Sequence, residues 1–480
     1  MPDLPFIGRE IERQRLNDLL KKKTASLVVI KGRRRIGKSR LIEEFARGKP
    51  FLQFSGLPPT QNITSQHQRD EFSRLLNQQT GLPEIRTGDW GKLFALLAEK
   101  TKSGRMIVLL DEISWMGDND PTFLPKLKNA WDLYFKKNPK LIVILCGSVS
   151  SWIEKNIISS TGYFGRISEK ITLHQLSLFD CNRLLNLLGF KRSPMEKLTV
   201  LSLTSGIPWY IEQINPAYSA ADNIKRLCFH SDGLLVDEDL RIFHDLFGKK
   251  SPIYEKITRF LSKQNAEYQE IAEAIEYASS GALTGYLQDL LTSGYISTSP
   301  HWSLQTGKEN KIKVYRLADN YLRFYYRYIQ PRINKIKNNE LDDIRLASLP
   351  GWSSIMGLQF ENLVLNNRKL IHEQLKIDPQ DIVTSNPYYQ RATQKHPGCQ
   401  IDYLIQTRLK TLFVCEIKFT ITPLDSSIIK SVQEKIHRLV IPRGFSCVPV
   451  LIHTGEISEE IRDADYFFAC INFEDLLHLS

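Results

Sequence analysis

The sequence lacks the features that mark several protein classes. No apolar run approaches the roughly 18 residues of a membrane-spanning helix, and the first residues do not place a basic segment before an apolar one, as a signal peptide would. Glycine (26) and proline (22) are too few among 480 residues for a collagen-like or low-complexity chain. Seven widely spaced cysteines form neither a disulfide framework nor a zinc-binding pattern. We therefore expect a globular, cytoplasmic protein of roughly three or four domains, with reduced thiols and no membrane partner.

The excess of positive charge is concentrated in two segments. The chain carries 64 basic and 53 acidic side chains, a formal net charge of +11. Residues 21–40 contain nine of the basic side chains and no acidic one, and residues 301–337 contain nine against two. Such patches attract polyanions, nucleic acid among them. The alternative is that surface lysine and arginine only keep the protein soluble.

A phosphate-binding loop is indicated near the N-terminus, between a strand and a helix. Residues 25–30 are a β-branched apolar run typical of a buried parallel strand. Gly32, Gly37, Lys38 and Ser39 follow at the spacing G-x-x-x-x-G-K-S and lead into apolar residues at helical spacing, the order that a P-loop requires. The glycines let backbone N–H groups surround the β-phosphate of ATP. Lys38 should reach the β- and γ-phosphate oxygens, and Ser39 should ligate Mg²⁺.

A second carboxylate for the metal is predicted at the end of another buried strand. Residues 106–110 are wholly apolar, and Asp111 and Glu112 follow them. Asp111 is placed to join the Mg²⁺ shell and Glu112 to polarise the attacking water, which favours a hydrolase over a kinase or a simple switch. The alternative is an acidic pair that caps the following helix.

Two further residues are candidate contacts to the γ-phosphate. A third apolar run, residues 141–146, is followed by Gly147 and Ser148, and we expect its tip between the first two strands, where Ser148 can sense the γ-phosphate. Arg166 precedes a strand-like run and is a candidate arginine finger on a neighbouring subunit's nucleotide, which requires a homo-oligomer. The alternative for Arg166 is an ordinary surface arginine.

Residues 1–240 resemble archaeal-type AAA-like ATPases, which are relatives of the origin-recognition and STAND ATPases. The resemblance rests on five features in the family's order: a Phe-Ile-Gly-Arg-Glu segment at 6–10, the P-loop, the Asp111–Glu112 pair, Gly147-Ser148, and a Gly-Ile-Pro segment that ends at Pro208. It implies a P-loop core over residues 1–175 and a helical lid over 176–245. It also implies that Gly8 and Arg9 lie beside the adenine and that Pro208 faces the nucleotide. Three arginines at the variable P-loop positions depart from the family pattern.

Residues 246–337 are predicted to form a winged helix and a basic segment after it. Helical apolar spacing covers 252–263, 268–277 and 282–291, and short strand-like runs follow at 295–297 and 311–316. Members of the ATPase family carry a winged helix here, and the third helix of such a module reads DNA. Residues 279–294, however, contain no lysine or arginine, so this helix can hardly hold phosphates.

We therefore expect any DNA contact on the wing and on the segment after it, and a purely architectural role is the alternative. The basic side chains concerned are Lys308, Lys311, Lys313, Arg323, Arg327, Arg332, Lys335 and Lys337. Aromatic residues are interleaved with these arginines between 321 and 328. At that spacing we expect them to pack in a core rather than to stack on bases.

The C-terminal region, residues 338–480, contains the elements of a second catalytic site. An amphipathic helix carries Glu361, and two strand-like runs joined by a short polar turn carry Asp402 and, at Glu-x-Lys spacing, Glu416 and Lys418. Asp402 and Glu416 can share Mg²⁺, Lys418 can stabilise charge at phosphorus, and Glu361 can hold a second metal or an outer-shell water. The alternative is an Asp–Lys or Glu–Lys ion pair in a half-buried hairpin.

This constellation resembles PD-(D/E)XK nucleases, including a following helix with Gln433, although Ile401 replaces the usual proline. Because side chains alternate along a strand, the pairing parity tests the resemblance. A four-residue loop at 407–410 would set Asp402 opposite Cys415 and turn Glu416 to the other face. The nuclease site therefore requires an odd loop or a bulge.

The sequence as a whole predicts an α/β protein with a P-loop parallel-sheet core, a helical lid, a winged helix and a C-terminal α/β nuclease-like domain. The predicted function is ATP hydrolysis in a DNA-binding protein with a metal-dependent DNA endonuclease domain, using ATP and Mg²⁺. The alternative is a STAND-like regulatory or signalling ATPase whose nuclease fold is a catalytically silent binding module. A DNA-binding transcriptional regulator is disfavoured by the uncharged third helix.

Overall fold

This computed structural model describes residues 5–58, 62–118, 120–239, 242–243, 251–277 and 281–479. No helix among these residues is long and apolar enough to cross a membrane. All seven cysteines lie within the described residues, and all seven are free thiols.

The chain divides into two compact units. The first comprises Met1–Gln175, Arg241–Ser251 and Gln288–Gly294, and the second comprises Leu176–Leu240, Pro252–Leu287 and Tyr295–Ser480. The division after Gln175 falls at the predicted end of the ATPase core. The predicted boundary at residue 245 lies outside the described residues, and the predicted boundary between 337 and 338 lies inside the second unit.

A five-stranded parallel sheet forms the centre of the first unit. Its strands are β1 (Ser26–Lys31), β2 (Phe51–Ser55), β3 (Met106–Asp111), β4 (Leu141–Gly147) and β5 (Ile167–Thr172). They lie in the order β2-β3-β4-β1-β5, so the tip of β4 lies between those of β1 and β3, which confirms the sequence expectation. The sequence analysis missed β2, which is a short strand at the sheet edge and pairs with β3.

Helices pack on this sheet and close its core. They are α1 (Glu10–Leu19), α2 (Lys38–Ala46), α3 (Ser65–Thr80), α4 (Trp90–Lys100), α5 (Ile113–Met116), α6 (Phe123–Leu133) and α7 (Ser150–Ile153). The strands β3 and β4 are apolar and almost fully buried, as expected of parallel strands that are covered on both faces. A cluster of buried rings, including Phe72, Trp90 and Phe123, fills the space between β2 and the helices α3, α4 and α6.

The second unit begins with a helical segment, where the sequence predicts a lid. Its helices are α8 (Leu178–Leu187), α9 (Pro194–Thr204), α10 (Pro208–Ile211) and α11 (Ala220–Cys228). Serine side chains cap three of them: Ser177, Ser193 and Ser219 each accept a hydrogen bond from the backbone N–H three residues later.

Three helices and a small antiparallel sheet follow. They are α12 (Ser251–Leu261), β6 (Ala266–Glu267), α13 (Tyr268–Ala274), α14 (Gly281–Thr292), β7 (Ile296–Trp302) and β8 (Glu309–Leu317), with strand order β6-β8-β7. Two short helices come next, α15 (Asn320–Phe324) and α16 (Ile333–Lys337). The aromatic side chains between 321 and 328 are all buried, which confirms their predicted core role.

The C-terminal region adds a mixed five-stranded sheet with order β13-β12-β11-β10-β9. Its strands are β9 (Ile382–Gln390), β10 (Cys399–Thr407), β11 (Thr411–Lys418), β12 (Ser446–His453) and β13 (Ala469–Asn472). Its helices are α17 (Trp352–Asn366), α18 (Arg368–Gln374), α19 (Ser427–Arg438), α20 (Glu459–Asp463) and α21 (Phe473–His478).

The β7–β8 hairpin is fastened to this C-terminal sheet. The indole N–H of Trp302 donates to Oε1 of Gln406 at 3.0 Å, and Nε2 of Gln406 donates to the carbonyl oxygen of Leu304 at 2.8 Å. Trp302 and Leu304 also share one apolar cluster with residues of β10 and β11. The hairpin is therefore part of the C-terminal core rather than a free wing.

Candidate functional site

The P-loop connects β1 to α2 and depends on two glycines. A Cβ atom at Gly32 would lie 2.7 Å from the carbonyl oxygen of Leu173, so a side chain is excluded there. Gly37 has φ of 90° and caps α2, a left-handed conformation that glycine adopts without strain. The ammonium of the buried Lys38 donates to the carbonyl oxygens of Gly32 (3.0 Å) and Arg33 (3.1 Å). The loop thus holds its lysine beside the backbone that is predicted to receive phosphate.

The two residues predicted to ligate Mg²⁺ are in direct contact. The hydroxyl of Ser39, at the start of α2, donates to Oδ2 of Asp111 at the end of β3, with an oxygen–oxygen distance of 2.8 Å. Oxygen donors from a hydroxyl and a carboxylate are the ligands that Mg²⁺ prefers. These residues therefore fit the ion that the P-loop implies.

Glu112 is held by the residue predicted to sense the γ-phosphate. Ser148 donates to Oε2 of Glu112 through its backbone N–H (3.0 Å) and through its hydroxyl (2.9 Å). Glu112 itself has a left-handed backbone, with φ of 47°. The structure thus brings Glu112 and Ser148 together, and the roles of Ser148 toward phosphate and of Glu112 toward water stay predictions.

Gly56 supports this arrangement and was missed by the sequence analysis. Its N–H donates to the carbonyl oxygen of Asp111 at 3.0 Å, and a Cβ atom here would lie 2.9 Å from the carbonyl oxygen of Glu112. Only glycine allows the chain after β2 to approach so closely. No local signal in the sequence points to this contact, because β2 is not a continuous apolar run.

The N-terminal segment is tied to the P-loop through Arg9. Gly8 and Arg9 both have positive φ, 71° and 63°, so the chain turns sharply before α1. The guanidinium of Arg9 donates to the carbonyl oxygens of Ile36 (3.3 Å) and His174 (2.5 Å). Arg9 therefore contacts the P-loop through Ile36. That Arg9 also lies beside the adenine stays a prediction.

The remaining predicted nucleotide contacts are Arg166 and Pro208. Arg166 forms a two-atom ion pair with Asp132 of α6, with Nη2–Oδ2 and Nε–Oδ1 distances of 2.8 and 3.0 Å. The hydrogen bond from Arg166 lowers the pKa of the Asp132 carboxyl. Pro208 is the first residue of α10 and belongs to the second unit. The finger and lid roles therefore stay predictions.

The β10–β11 hairpin satisfies the parity condition for the second predicted site. Residues 408–410 form a three-residue turn, and Tyr403 pairs with Cys415, so Asp402 stands opposite Glu416 on the same face. The backbone N–H of Ile417 donates to Oδ2 of Asp402 at 3.0 Å. The expectation of an odd loop is confirmed.

Two lysines neutralise these carboxylates. Nζ of Lys435, on α19, lies 2.5 Å from Oε2 of Glu416 and 3.5 Å from Oδ1 of Asp402. Nζ of Lys418 lies 2.9 Å from Oε1 of Glu416. The two groups form an ion pair but not an aligned hydrogen bond. Burial and the Glu416 charge raise the pKa of Asp402. Burial alone would lower the pKa of Lys435, but the two carboxylates outweigh it and raise that pKa.

The sequence analysis missed Lys435 and expected Gln433 at this position of the helix. Gln433 is exposed, whereas Lys435 turns inward. No group of three or more acidic, histidine or cysteine side chains among the described residues is arranged to hold a metal ion. The ion-pair alternative therefore describes this structure, and the predicted shared Mg²⁺ fits Asp402 and Glu416 only when Lys435 is displaced.

Glu361, on α17, completes the cluster together with two buried arginines. Burial, and secondarily the charge of Asp402, raise the pKa of Glu361 to about 6, while Arg316 and Arg323 oppose the shift. Burial lowers the pKa of Arg316 to about 9 and that of Arg323 to about 10, so both remain charged at neutral pH.

The predicted DNA contact through Arg323 is wrong. Its guanidinium is buried and donates to Oε1 of Gln359 (3.0 Å) and to the carbonyl oxygen of Leu317 (2.8 Å). Arg316 is likewise buried and donates to Asn362. Both arginines connect β8, α15 and α17 through hydrogen bonds. Because they are buried, a DNA duplex cannot contact their guanidinium groups. The exposed cations of this segment are Lys308, Lys311, Lys313, Arg327, Lys335 and Lys337.

Comparison with known proteins assigns the first part of the chain. Residues 6–214 match the family model described as an ATPase domain predominantly from Archaea, and they form an archaeal-type ATPase domain. The chain is 24% identical over 365 residues to the uncharacterized protein MJECL04 of Methanocaldococcus jannaschii. The aligned residues cover 75% of this chain and 76% of that protein.

Two solved structures are also similar. The Walker-type ATPase PABY2304 of Pyrococcus abyssi has a TM-score of 0.49 and 19% identity, covering 67% of this chain and 96% of that one. The Aeropyrum pernix ORC2 protein, described as ADPNP–ADP complexes, has a TM-score of 0.41 and 15% identity, covering 71% of this chain and 97% of that one.

Proposed function

We propose that this protein hydrolyses ATP with Mg²⁺ at the tips of β1, β3 and β4. The observation that carries the proposal is the 2.8 Å contact between Ser39 and Asp111 with Glu112 beside it. Mg²⁺ held by Ser39 and Asp111 would neutralise charge on the β- and γ-phosphates. Lys38 exchanges its two carbonyl partners for phosphate oxygens.

Glu112 is the residue that orients and polarises the attacking water in this proposal. It performs that role after its Oε2 exchanges Ser148 for the water, and the freed hydroxyl of Ser148 is then available to the γ-phosphate. Gly8 and Arg9 on the adenine side and Arg166 from a neighbouring subunit complete the proposed nucleotide site. The role of Arg166 requires a homo-oligomer and the release of Asp132.

The test compares ATP binding and hydrolysis in the wild type and in Lys38→Met. We expect Lys38→Met to lose phosphate release and most ATP affinity, because it removes the cation that contacts the phosphates while keeping the apolar stem. Lys92→Met, at an exposed position of α4, is the matched control and should behave as the wild type. Hydrolysis at the wild-type rate by Lys38→Met would refute the proposed site.

DNA is the proposed macromolecular partner, bound through exposed cations of the β7–β8 hairpin. Lys308 lies in the turn, Lys311 and Lys313 lie in β8, and all three are exposed. Changing the three to glutamine should reduce the slope of log K against log salt by roughly 2 to 3, since each phosphate contact contributes about 0.9. Fluorescence anisotropy of a labelled duplex measures this slope, and Lys369→Gln on α18 is the control. An unchanged slope would exclude this surface.

Phosphodiester cleavage at Asp402, Glu416 and Lys418 is a second candidate function. It is favoured by the shared face of the two carboxylates and by Lys418, whose Nζ lies 2.9 Å from Oε1 of Glu416. Incubation of plasmid with protein and Mg²⁺ or Mn²⁺ should give nicks that Glu416→Gln abolishes and that Glu434→Gln, an exposed acid on α19, does not. ATP hydrolysis without any nicking would support the silent-module alternative, in which this domain only binds.

A further inference from the structure

We propose that Lys435 is a built-in counter-cation at the Asp402–Glu416 site, so that a divalent metal ion and the lysine ammonium compete for the same carboxylate oxygens. The inference rests on the second candidate function, because it assumes that these carboxylates are metal ligands. It goes further by assigning a residue that keeps the site closed to metal. The ligand class is a small divalent cation such as Mn²⁺ or Mg²⁺.

The position of the ammonium carries the inference. Nζ of Lys435 lies 2.5 Å from Glu416 and 3.5 Å from Asp402, between carboxylates that stand opposite each other on neighbouring strands. Divalent ions bind carboxylate oxygens at roughly 2.0 to 2.6 Å. An ion held by both residues would therefore need the volume that the ammonium fills, and the two positive charges would repel each other.

The burial of Glu416 explains why a cation is needed at all. The Glu416 side chain is 1% exposed, and an uncompensated buried carboxylate is strongly unfavourable. Lys418 contacts Oε1, and Lys435 is the cation beside Oε2 and beside Asp402, whose Oδ2 also accepts from the backbone N–H of Ile417. A divalent ion can replace the positive charge of the lysine, whereas the loss of both would leave Oε2 of Glu416 without a cation.

The lysine can leave without movement of its helix. Helix α19 is anchored by the buried Ile428 and Val432, whereas Lys435 lies toward its C-terminal end with its side chain 26% exposed. Rotation of the flexible stem carries the ammonium from the carboxylates into solvent. Metal binding should therefore increase the exposure of Lys435 while α19 stays in place.

Isothermal titration of the full-length protein with Mn²⁺ tests the competition. Lys435→Gln should bind Mn²⁺ at least about tenfold more tightly than the wild type, and Lys435→Arg, which keeps the charge, should bind as weakly as the wild type. Lys430→Gln, an exposed lysine on the same helix, is the matched control and should leave the affinity unchanged. Equal Mn²⁺ affinity in the wild type and Lys435→Gln would overturn the role of the lysine while leaving the metal site standing. No Mn²⁺ binding by either would overturn both.

A second readout uses the wild-type protein, in case Lys435→Gln does not fold. Acetic anhydride labels exposed lysines, and mass spectrometry quantifies each position. Labelling of Lys435 should rise several-fold on addition of Mn²⁺, while labelling of Lys430 stays constant. Labelling of Lys435 that does not respond to saturating Mn²⁺ would refute the displacement.

Discussion

The attachment of the β7–β8 hairpin to the C-terminal sheet predicts a large loss of stability on Trp302→Ala. The indole is 4% exposed, packs edge-on against Tyr388 with ring centroids 4.9 Å apart, and donates to Gln406. Truncation of a buried tryptophan costs about 3–5 kcal/mol. The loss of the donor to a buried amide oxygen adds about 1–3 kcal/mol. We therefore expect a loss of roughly 4–8 kcal/mol in the free energy of unfolding.

Trp302→Phe separates the two contributions, because it keeps an aromatic ring and removes the N–H donor. It should cost about 1–3 kcal/mol. Leu409→Ala, in the exposed turn between β10 and β11, is the control and should change stability by less than about 0.5 kcal/mol. Urea unfolding followed by circular dichroism gives these differences. A cost below about 1 kcal/mol for Trp302→Ala would show that the hairpin is not attached to the C-terminal sheet and would favour a free wing.

Three further predictions concern individual side chains. Ser148→Ala should lower kcat for ATP about tenfold with KM within about threefold, because the hydroxyl that is proposed to contact the γ-phosphate once Glu112 has released it is lost; a faster rate would contradict this. Glu361→Gln should stabilise the protein by up to about 2 kcal/mol at pH 7.5 and by almost nothing near pH 4.5. The reason is that folding raises the pKa of Glu361, so its ionisation between these pH values lowers the free energy of unfolding of the wild type. Urea denaturation of both proteins at the two pH values measures this difference, and an equal effect at both would contradict the prediction. Lys38→Ala mixed with Arg166→Ala should regain ATP hydrolysis at mixed interfaces if Arg166 acts in trans, and no regain would exclude the finger.

The ATPase core could be predicted from the sequence because its strands are continuous apolar runs that end in chemically distinctive residues. The apolar composition of β1, β3 and β4 predicts that each strand is buried. Parallel strands also bring their carboxyl ends to one edge of the sheet. The contact between Ser39 and Asp111 follows from that rule. The edge strand β2 lacks such a run, and the approach of Gly56 to Glu112 depends on packing that no local pattern encodes.

The C-terminal site could be predicted in part. Pairing parity correctly required an odd turn before β11, since side chains alternate along a strand. The lysine on α19 was missed, although a signal was present: Ile428, Val432 and Lys435 lie at helical spacing i, i+4 and i+7, on the face that the helix buries. Gln433 lies on another face of the helix.

The basic segment after β7 shows a different limit of sequence reasoning. A count of charges does not separate an arginine on the surface from one that is buried with polar partners. Arg316 and Arg323 carry as much of the segment's charge as any lysine, yet their guanidinium groups are enclosed by side chains and carbonyl groups of α17 and β8. Because Gln359 and Asn362 on α17 lie well beyond these arginines in the chain, no pattern near the arginines predicts their burial.

Single-turnover ATP hydrolysis by Glu112→Gln tests the central claim most directly, that this protein is an ATPase whose water-activating residue is Glu112. The substitution keeps the size of the side chain and removes its charge, so ATP should bind with an affinity close to that of the wild type. Hydrolysis should fall by about 10²- to 10⁴-fold, the usual contribution of a positioned general base. Phosphate release by Glu112→Gln at the wild-type rate, or no ATP-dependent phosphate release by the wild type, would contradict the account.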